Sequence, residues 1–181
     1  MTNYLQDHDR THMCGELRER HIGEEVTLFG WVDGKRDLGG MVFLDLRDRS
    51  GVSQVRVDPE FEEVYQDADA LRNEWCVAIR GVVESRGDNK NEEMPTGAVE
   101  ISGREVKVFS EADTTPFPIR EEVDANEMLR LEYRYLDLRR PQLKRAIQMR
   151  SEINHVVRDY LARESFTEVE TPYLTRPTPE G

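Results

Sequence analysis

Apolar and polar residues alternate in five short stretches between residues 26 and 109, which is the period of β-strands with one buried face. Tight turns are predicted at Asp33-Gly34-Lys35, at Gly39-Gly40 and, as a hairpin turn, over 48–51. Gly81 interrupts the fourth stretch and predicts a bulge or a barrel bend. One face of the first stretch holds Val26, Leu28, Gly30 and Val32. The predicted strands are VTLFGWVD (26–33), MVFLDLRD (41–48), VSQVRVD (52–58), WCVAIRGVVESR (75–86) and AVEISGREVKVF (98–109).

A helix is predicted over 59–73, between the third and fourth strands. Pro59 suits its first turn. Apolar residues then recur at helical spacing, at Phe61, Val64, Ala68 and Leu71. Three strands, a helix and two strands match the five-stranded Greek-key barrel of the OB-fold, in which this helix plugs the barrel. We therefore predict a mainly β fold with helices, with the barrel domain over 14–109 after a short helix (14–21) and a frayed polar leader (1–13).

A different pattern follows the barrel. Residues 110–130 are rich in acids and contain two prolines, which predicts a linker. MLRLEYRYLDLRR (128–140) is at least partly helical, and Pro141 opens a second helix over 142–163. FTEVETP (166–172) predicts a strand that Pro172 ends. The apolar stripe of the second helix is Leu143, Ala146, Ile147, Ile153, Val156, Val157, Tyr160 and Leu161.

One helix and one strand after residue 140 are too little to close a second core of ordinary size. The helix could dock on the barrel or on another chain, or the sequence could be the front part of a longer protein. We favour the last of these alternatives.

Composition narrows the class of protein. The chain has 181 residues, of which 37% are apolar and 34% charged, so it suits one domain or a small domain with part of another. It has no secretory h-region and no apolar run of about 18 residues, the length of a membrane span. Cys14 and Cys76 are too few and too far apart for a disulfide framework or a zinc site. These features predict a protein of the cytoplasm.

Charge initially argues against a nucleic-acid partner, because the chain has a net charge of −12. A local groove can nevertheless differ from the whole molecule. The window 35–56 holds five cations, Lys35, Arg36, Arg47, Arg49 and Arg56, against three acids, Asp37, Asp45 and Asp48. It is therefore net +2 within an acidic chain.

Three strings carry a resemblance to a known family. YRYLDLRRP (133–141) and FTEVETPYLTRPTPEG (166–181) closely resemble bacterial-type aspartyl-tRNA synthetase, of class IIb. GWVDGKRDLGGMVFLDLRDRSGVSQV (30–55) resembles its anticodon-binding barrel. The resemblance implies that 131–181 begin a class II catalytic domain, with motif 1 in 166–181. The motifs 2 and 3 of the family, which grip ATP, would lie beyond Gly181.

An OB barrel offers an open strand face where aromatic side chains stack bases and cations follow phosphates. The resemblance implies that Phe43 and Gln54 form the pocket for the middle anticodon uridine, and that Arg36 contributes from a basic turn. It assigns Glu100 to the first anticodon base, with Arg86 near that loop. The alternative interpretation is structural: Phe43 in core packing, Gln54 as a solvated strand residue and Arg36 as a turn cation.

In the last segment, the resemblance assigns Glu180 to the amino group of bound aspartate and Pro172 to a dimer interface. Arg139 and Arg140 are either hinge residues that face tRNA or part of a solvated helix face. The chain departs from the family at Ser165, where a glycine is usual, so the end of the helix could differ.

Two further details bear on specificity and metal binding. Leu38 lies in the string RDLGG, and in the family a leucine at this position occurs in enzymes restricted to aspartate tRNA. The basic turn of the family is often a run of arginines, whereas here it begins Asp33-Gly34. Among the four histidines only His8 and His12 share ligand spacing, so no metal site is predicted.

The implied parent enzyme joins aspartate to ATP with Mg²⁺, releases pyrophosphate and passes the aspartyl group to tRNA(Asp), as a homodimer. No catalytic residue of that reaction falls in these 181 residues, so we expect the chain alone to be inactive and to hold no cofactor. The first alternative is a stand-alone OB-fold module that binds RNA without catalysis. The second, a class IIb synthetase for lysine or asparagine, is disfavoured by YRYLDLRRP and by the TPEG ending.

Overall fold

Five strands close into a barrel in the first of two structural units. The computed structural model describes residues 9–174, and the units divide between Thr115 and Pro116. The strands are β1 (Glu25–Leu38), β2 (Met41–Arg47), β3 (Val52–Val57), β4 (Cys76–Ser85) and β5 (Val99–Ser110). Around the barrel they follow the order β1-β2-β3-β5-β4, and only the β3–β5 pair is parallel. The predicted five-stranded barrel is confirmed.

Alternate side chains of each strand fill the inside of the barrel. The face predicted for the first strand is confirmed, because Val26, Leu28, Gly30 and Val32 are all buried. Burying one such aliphatic side chain stabilises the fold by about 1.5–3 kcal/mol. The other strands contribute the fully buried Val42, Leu44, Leu46, Val55, Val57, Val77, Ile79, Val83 and Ile101. Because the inside is apolar, polar residues at the intervening positions lie on the outer face.

The turn predicted at Asp33-Gly34-Lys35 is wrong, because β1 continues through it to Leu38. The register passes from Val32 opposite Leu46 to Gly34 opposite Asp45, which leaves Asp33 as the extra residue of a bulge. The carboxylate of Asp33 pairs with Arg47 across the strands. The turn predicted at Gly39-Gly40 is confirmed, with both glycines in the left-handed region.

The hairpin turn between β2 and β3 is confirmed and is organised by Asp48. Its carboxylate accepts the backbone N–H groups of Cys14 at 2.7 Å, Ser50 at 2.7 Å and Gly51 at 3.2 Å. Cys14–Glu16 and Glu19–His21 form 3₁₀ turns where the short helix was predicted. Asp48 therefore joins the hairpin to the chain that leads into the barrel.

The end of the leader is not frayed. Thr11 donates its backbone N–H to the carbonyl of Thr27 at 3.0 Å, and its hydroxyl accepts from the N–H of Thr27 at 2.9 Å. These bonds hold the chain against β1 before the first 3₁₀ turn. Residues 1–8 of the predicted leader lie outside the described residues.

The predicted helix is present as α1 (Glu62–Ala70), which is shorter than expected. Ala68 and Leu71 of its predicted stripe are buried in the barrel core. The irregularity predicted at Gly81 is also confirmed by a shift in the β4–β5 register after Arg80. A Cβ at Gly81 would lie 2.2 Å from the carbonyl oxygen of Ser102, so only glycine fits there.

The second unit begins at Pro116, within the segment predicted as a linker, and the apolar residues there are packed. Phe117 and Ile119 are buried with Leu136, and four partly buried residues join them. Leu136 belongs to α3 (Arg134–Asp137), which follows α2 (Glu127–Glu132). The apolar residues of this segment therefore pack into a small core, and α2 and α3 match the predicted partly helical stretch.

A buried carboxylate fixes the end of this cluster. Asp137 has no exposed surface and accepts hydrogen bonds from Arg134 at 2.6 Å and Arg140 at 2.9 Å. Arg140 also donates to the carbonyls of Arg120 at 3.0 Å and Glu121 at 2.7 Å. Arg140 is 4% exposed, so it is a structural residue, and both interpretations offered for it are wrong.

The long helix α4 (Pro141–Arg163) begins at the predicted proline. The serine at position 165 does not change how α4 ends, because Ser165 adopts the left-handed backbone conformation that a glycine would adopt there. Ser165 has a φ of 67°, and the N–H of Phe166 bonds to the carbonyl of Leu161 at 3.0 Å, as in a Schellman motif. The apolar stripe of α4 is exposed, with Ile153, Val156, Val157 and Tyr160 at 50–61%.

The strand predicted over 166–172 is wrong, because these residues have no regular secondary structure. A strand requires a neighbour for its backbone hydrogen bonds, and no strand of residues 9–174 pairs with this segment. Pro172 is exposed here. In the described part of the chain, no helix has the length and apolar character to span a membrane.

The hairpin anchor gives a testable prediction. Burial alone would raise the pKa of Asp48, but hydrogen bonds from Ser50, Cys14 and Gly51 outweigh it and hold the pKa below its usual range. Asp48→Asn should lower the free energy of unfolding by about 2 kcal/mol at pH 7. Because the folded-state pKa is lowered, this contribution is complete above a pH of about 4 and is lost as the pH falls through the folded-state value.

Urea unfolding of both proteins from pH 7 to pH 2.5 tests this. The difference between them should be constant down to a pH of about 5 and narrow below about 4. The control is Asp67→Asn, at an exposed position of α1, which should change stability little at any pH. A difference that stays constant to pH 2.5 would contradict the proposed role of the ionised carboxylate.

Candidate nucleic-acid interface

A row of side chains crosses three strands on the outer face of the barrel. Arg36 of β1 lies directly opposite Phe43 of β2, and Phe43 lies directly opposite Arg56 of β3. In the next row, Gly34, Asp45 and Gln54 occupy equivalent positions. Paired residues on neighbouring strands point to the same face, so these side chains form one surface.

One open cavity of about 430 Å³ lies on this surface. The structure brings all five predicted anticodon-binding residues to its lining: Arg36, Phe43, Gln54, Arg86 and Glu100. They come from β1, β2, β3, β5 and the turn after β4. The remaining lining residues are Leu38, Met41, Arg56, Ser85 and Asn89. Phe43 therefore belongs to the outer surface, and core packing is wrong as its explanation.

Hydrogen bonds fix the side-chain amide of Gln54. Its Nε2 donates to Oε2 of Glu100 at 2.8 Å, and its Oε1 accepts from Nη2 of Arg36 at 3.4 Å. Gln54 is 6% exposed, so it is not a solvated strand residue. One amide thus presents a donor and an acceptor at the floor of the cavity, in an orientation set by its neighbours.

Glu100 is a buried carboxylate held by cations as well as by Gln54. Nη1 of Arg56 lies 3.4 Å from its Oε1, and Nε of Arg86 lies 4.0 Å from its Oε2. Within the described residues, Nε of Arg56 and Nη1 of Arg86 are buried without a hydrogen-bond partner. Unpaired buried donors of this kind are costly and rare in folded proteins, so they mark this surface as unusual.

Arg36 forms a two-oxygen contact with Asp45, at 2.9 and 3.1 Å. Burial raises the pKa of Asp45 above its usual range, although the nearby Arg36 guanidinium opposes that shift. The pair is at the surface, where half of the Arg36 side chain is exposed. Arg36 can therefore turn towards a ligand at small cost.

Carboxylates neutralise much of the basic window found in the sequence. Lys35 pairs with Asp69 at 3.1 Å. Arg47 pairs with Glu74 at 2.8 Å as well as with Asp33. These three acidic partners lie outside residues 35–56, whereas Asp45, the partner of Arg36, lies inside. The window is therefore a set of ion pairs, with little free positive charge for phosphates.

Arg56 is the charged residue of this surface that sequence reasoning did not assign to the site, although it was counted in the basic window. The pairing of residues in the β2–β3 hairpin indicates that Arg56 belongs to this surface. Given strands joined by the turn at 48–51, pairing Asp45 with Gln54 also pairs Phe43 with Arg56. The order of residues in a hairpin thus predicts which side chains are neighbours.

Potential metal ligands meet elsewhere on the barrel unit, where His12, His21 and Glu24 bring one ligand atom each within 4.8 Å of one another. The sequence spacing of His8 and His12 did not predict this group, and His8 lies outside the described residues. Nδ1 of His21 accepts the N–H of Arg18 at 2.9 Å, and Nε of Arg20 lies 3.2 Å from its Nε2. Because both ring nitrogens face donors, this group is poorly arranged for a metal.

The other predicted site residues lie in the second unit. Glu180, assigned to aspartate, lies outside the described residues. Pro172, assigned to a dimer interface, is exposed in an irregular segment. The candidate interface described above therefore consists of barrel residues alone.

Comparisons with known proteins agree with this architecture. Residues 26–109 match the family model described as OB-fold nucleic acid binding domain. Residues 126–181 match the model described as tRNA synthetases class II (D, K and N). The chain is 48% identical over 182 aligned positions to an aspartate–tRNA ligase of Clostridium tetani. The alignment covers 100% of this chain and 31% of the relative, so the chain spans about a third of the length of the curated relatives it matches.

Solved structures show the same likeness. Aspartyl tRNA synthetase from Entamoeba histolytica matches with a TM-score of 0.83 at 25% identity, over 94% of this chain and 41% of that chain. Asparaginyl-tRNA synthetase from Pyrococcus horikoshii matches with a TM-score of 0.77 at 28% identity, over 92% and 38%. The chain is therefore similar over its whole length to aspartate–tRNA ligases, with a match to an OB-fold nucleic acid binding domain followed by a match to class II tRNA synthetases.

Proposed function

We propose that this chain recognises the anticodon of tRNA(Asp) as part of an aspartate–tRNA ligase. The observation that carries the proposal is the cavity that gathers Phe43, Gln54 and Glu100 on the outer face of an OB barrel. The class II match over 126–181 favours this proposal over a stand-alone RNA-binding module. The 48% identity to an aspartate–tRNA ligase favours aspartate over asparagine or lysine.

The chemistry of the surface suits the bases of a GUC anticodon. The Phe43 ring offers a face on which the middle base stacks. The Gln54 amide can accept from N3–H of uracil with Oε1 and donate to a uracil carbonyl with Nε2. The Glu100 carboxylate can accept the two adjacent N–H donors of guanine. Arg36 and Arg86 border these positions as cations.

The whole ligase would activate aspartate with ATP and then transfer the aspartyl group to the 3′ end of the tRNA. Mg²⁺, when bound, would neutralise developing phosphate charge. The residues described here do not suit Mg²⁺, because the only grouping of three potential ligands in 9–174 contains two imidazoles, whereas Mg²⁺ prefers oxygen ligands.

Several finer expectations belong to the same proposal. The ligase acts as a homodimer with Pro172 at the interface, and Glu180 contacts the amino group of aspartate. Leu38, which is 60% exposed at the cavity, favours restriction to aspartate tRNA. Cys14 and Cys76 are not joined in a disulfide within the described residues, which suits the cytoplasm.

The anticodon assignment predicts distinct effects for two substitutions. Phe43→Ala should weaken binding of a GUC anticodon stem-loop about tenfold or more, because base stacking on an aromatic ring contributes about 1–3 kcal/mol. Gln54→Ala should selectively reduce the preference for uridine at the middle position. Fluorescence anisotropy with stem-loops that differ at that base measures both effects.

Matched controls lie on the same unit. Phe109→Ala removes an aromatic ring that packs on Phe29 at 5.0 Å, away from the cavity. Gln66→Ala removes an exposed amide of α1. Neither control should change stem-loop affinity. If Phe43→Ala and Gln54→Ala also leave the affinity unchanged, the barrel does not bind the anticodon through this cavity.

Salt dependence is expected to be gentle, because carboxylates already neutralise cations around the cavity. Two or three phosphate contacts give a slope of log K against log salt of about −1.5 to −2, at about 0.7 per contact for single strands. A titration from 50 to 300 mM KCl, on the order of physiological salt, measures the slope. A slope steeper than about −4 would contradict this expectation and would mean that a more basic surface binds the RNA.

We also propose that residues 1–181 alone form no aspartyl-adenylate, because motifs 2 and 3 of the family do not occur in them. Aspartate-dependent exchange of pyrophosphate into ATP should equal a no-protein blank. A complete aspartate–tRNA ligase serves as the positive control. Exchange clearly above the blank would refute the proposal.

A further inference from the structure

Arg56 and Phe43 are direct neighbours on the outer face of the barrel. They are cross-strand partners in β3 and β2, and neighbouring strands lie about 4.8 Å apart. Arg56 also lines the cavity that contains Phe43, Gln54 and Glu100. Its position is therefore within the surface to which the anticodon is assigned.

Three carboxylates from three places in the barrel hold the Arg56 guanidinium. Nη2 lies 3.0 Å from Oε2 of Glu84 and 3.3 Å from Oδ2 of Asp58. Nη1 lies 3.4 Å from Oε1 of Glu100. The Arg56 side chain is 27% exposed, so these contacts are partly shielded from water. A planar guanidinium presents five N–H donors spread over a fixed fork, whereas a lysine ammonium offers three donors at a single point.

The two oxygens of Glu100 have different neighbours. Oε2 accepts from Gln54 at 2.8 Å and lies 4.0 Å from Arg86. Oε1 lies on the Arg56 side, at 3.4 Å from Nη1. Arg56 thereby limits rotation of the carboxylate about its own axis. Arg56 also offsets negative charge. Two cations, Arg56 and Arg86, pair with a group of three carboxylates, which belong to Glu84, Asp58 and Glu100. Without Arg56, Arg86 would be the one cation for all three carboxylates.

We propose that Arg56 is a positioning residue that orients the carboxylate of Glu100 for the paired N–H donors of guanine, and so sets the preference for guanine at the first anticodon position. This inference rests on the proposed function. Guanine presents N1–H and N2–H to a carboxylate, inosine presents only N1–H, and adenine presents an acceptor at N1. A carboxylate that Arg56 holds in one orientation distinguishes these three edges more sharply than one that rotates.

A purely structural role makes a different prediction. If Arg56 only joins strands, its loss lowers the thermal stability of the protein. It then also lowers the affinities for all stem-loops by the same factor, so their ratio is unchanged. If Arg56 positions Glu100, its loss changes the ratio of affinities between loops. The ratio is therefore the readout that separates the two roles.

The test measures binding of stem-loops with guanine, inosine or adenine at the first anticodon position and uracil and cytosine at the other two. Wild type should bind in the order guanine, inosine, adenine. Arg56→Ala should reduce the guanine-to-adenine ratio about tenfold, which corresponds to about 1.4 kcal/mol. Arg80→Ala is the matched control, because it removes one cation from a surface ion pair with Glu105 at 2.7 Å, at a position outside the cavity lining. It should leave the ratio unchanged.

The outcomes separate this inference from the function on which it rests. If wild type binds no loop, the proposed function fails and this inference fails with it. If wild type prefers guanine and folded Arg56→Ala keeps that ratio within twofold, only the role of Arg56 is overturned. If Arg56→Ala does not fold, Arg56→Lys is measured instead. A ratio reduced at least threefold in that variant supports the inference, and a smaller reduction overturns it.

Discussion

The closed barrel imposes one constraint on everything outside it. Its interior is filled mainly by apolar side chains, such as Leu28, Leu44 and Val55, and strand geometry sends each following residue outwards. Polar residues on neighbouring strands then meet by register, without any need for a loop to bring them together. The candidate interface is a product of this constraint, because Arg36, Phe43 and Arg56 occupy one row across three strands.

The same surface explains how an acidic chain can suit an RNA partner. Positive charge is not accumulated there; each guanidinium of the cavity is set against a carboxylate, as in the pairs Arg36–Asp45 and Arg56–Glu100. Such a surface attracts phosphates weakly over long distances. Its selectivity must come from directional donors and acceptors, such as the Gln54 amide, and from stacking on Phe43. Recognition of the RNA bases and electrostatic attraction of the RNA phosphate backbone are thus largely separate properties of this surface.

Local patterns predicted the barrel well and failed where partners were needed. Alternation identified all five strands, and Gly81 marked the register shift. The Asp33-Gly34 sequence suits either a turn or a bulge, and only pairing with β2 decides between them. The segment 166–172 has the composition of a strand, but no strand in the described residues provides its hydrogen bonds. The resemblance to a family named five residues that line the cavity, whereas Arg56 required the register of the hairpin.

The shortest junction of the barrel lies directly beneath this surface. β3 and β5 pair through only Val55–Ile101 and Arg56–Ser102, whereas β4 and β5 pair along almost their full length. Gln54 and Arg56 reach across this seam to Glu100. A molecule that binds there contacts both strands of the shortest pairing in the ring. Ligand binding and barrel closure are therefore thermodynamically linked. A ligand bound to this surface would stabilise the closed barrel as well as being recognised by it.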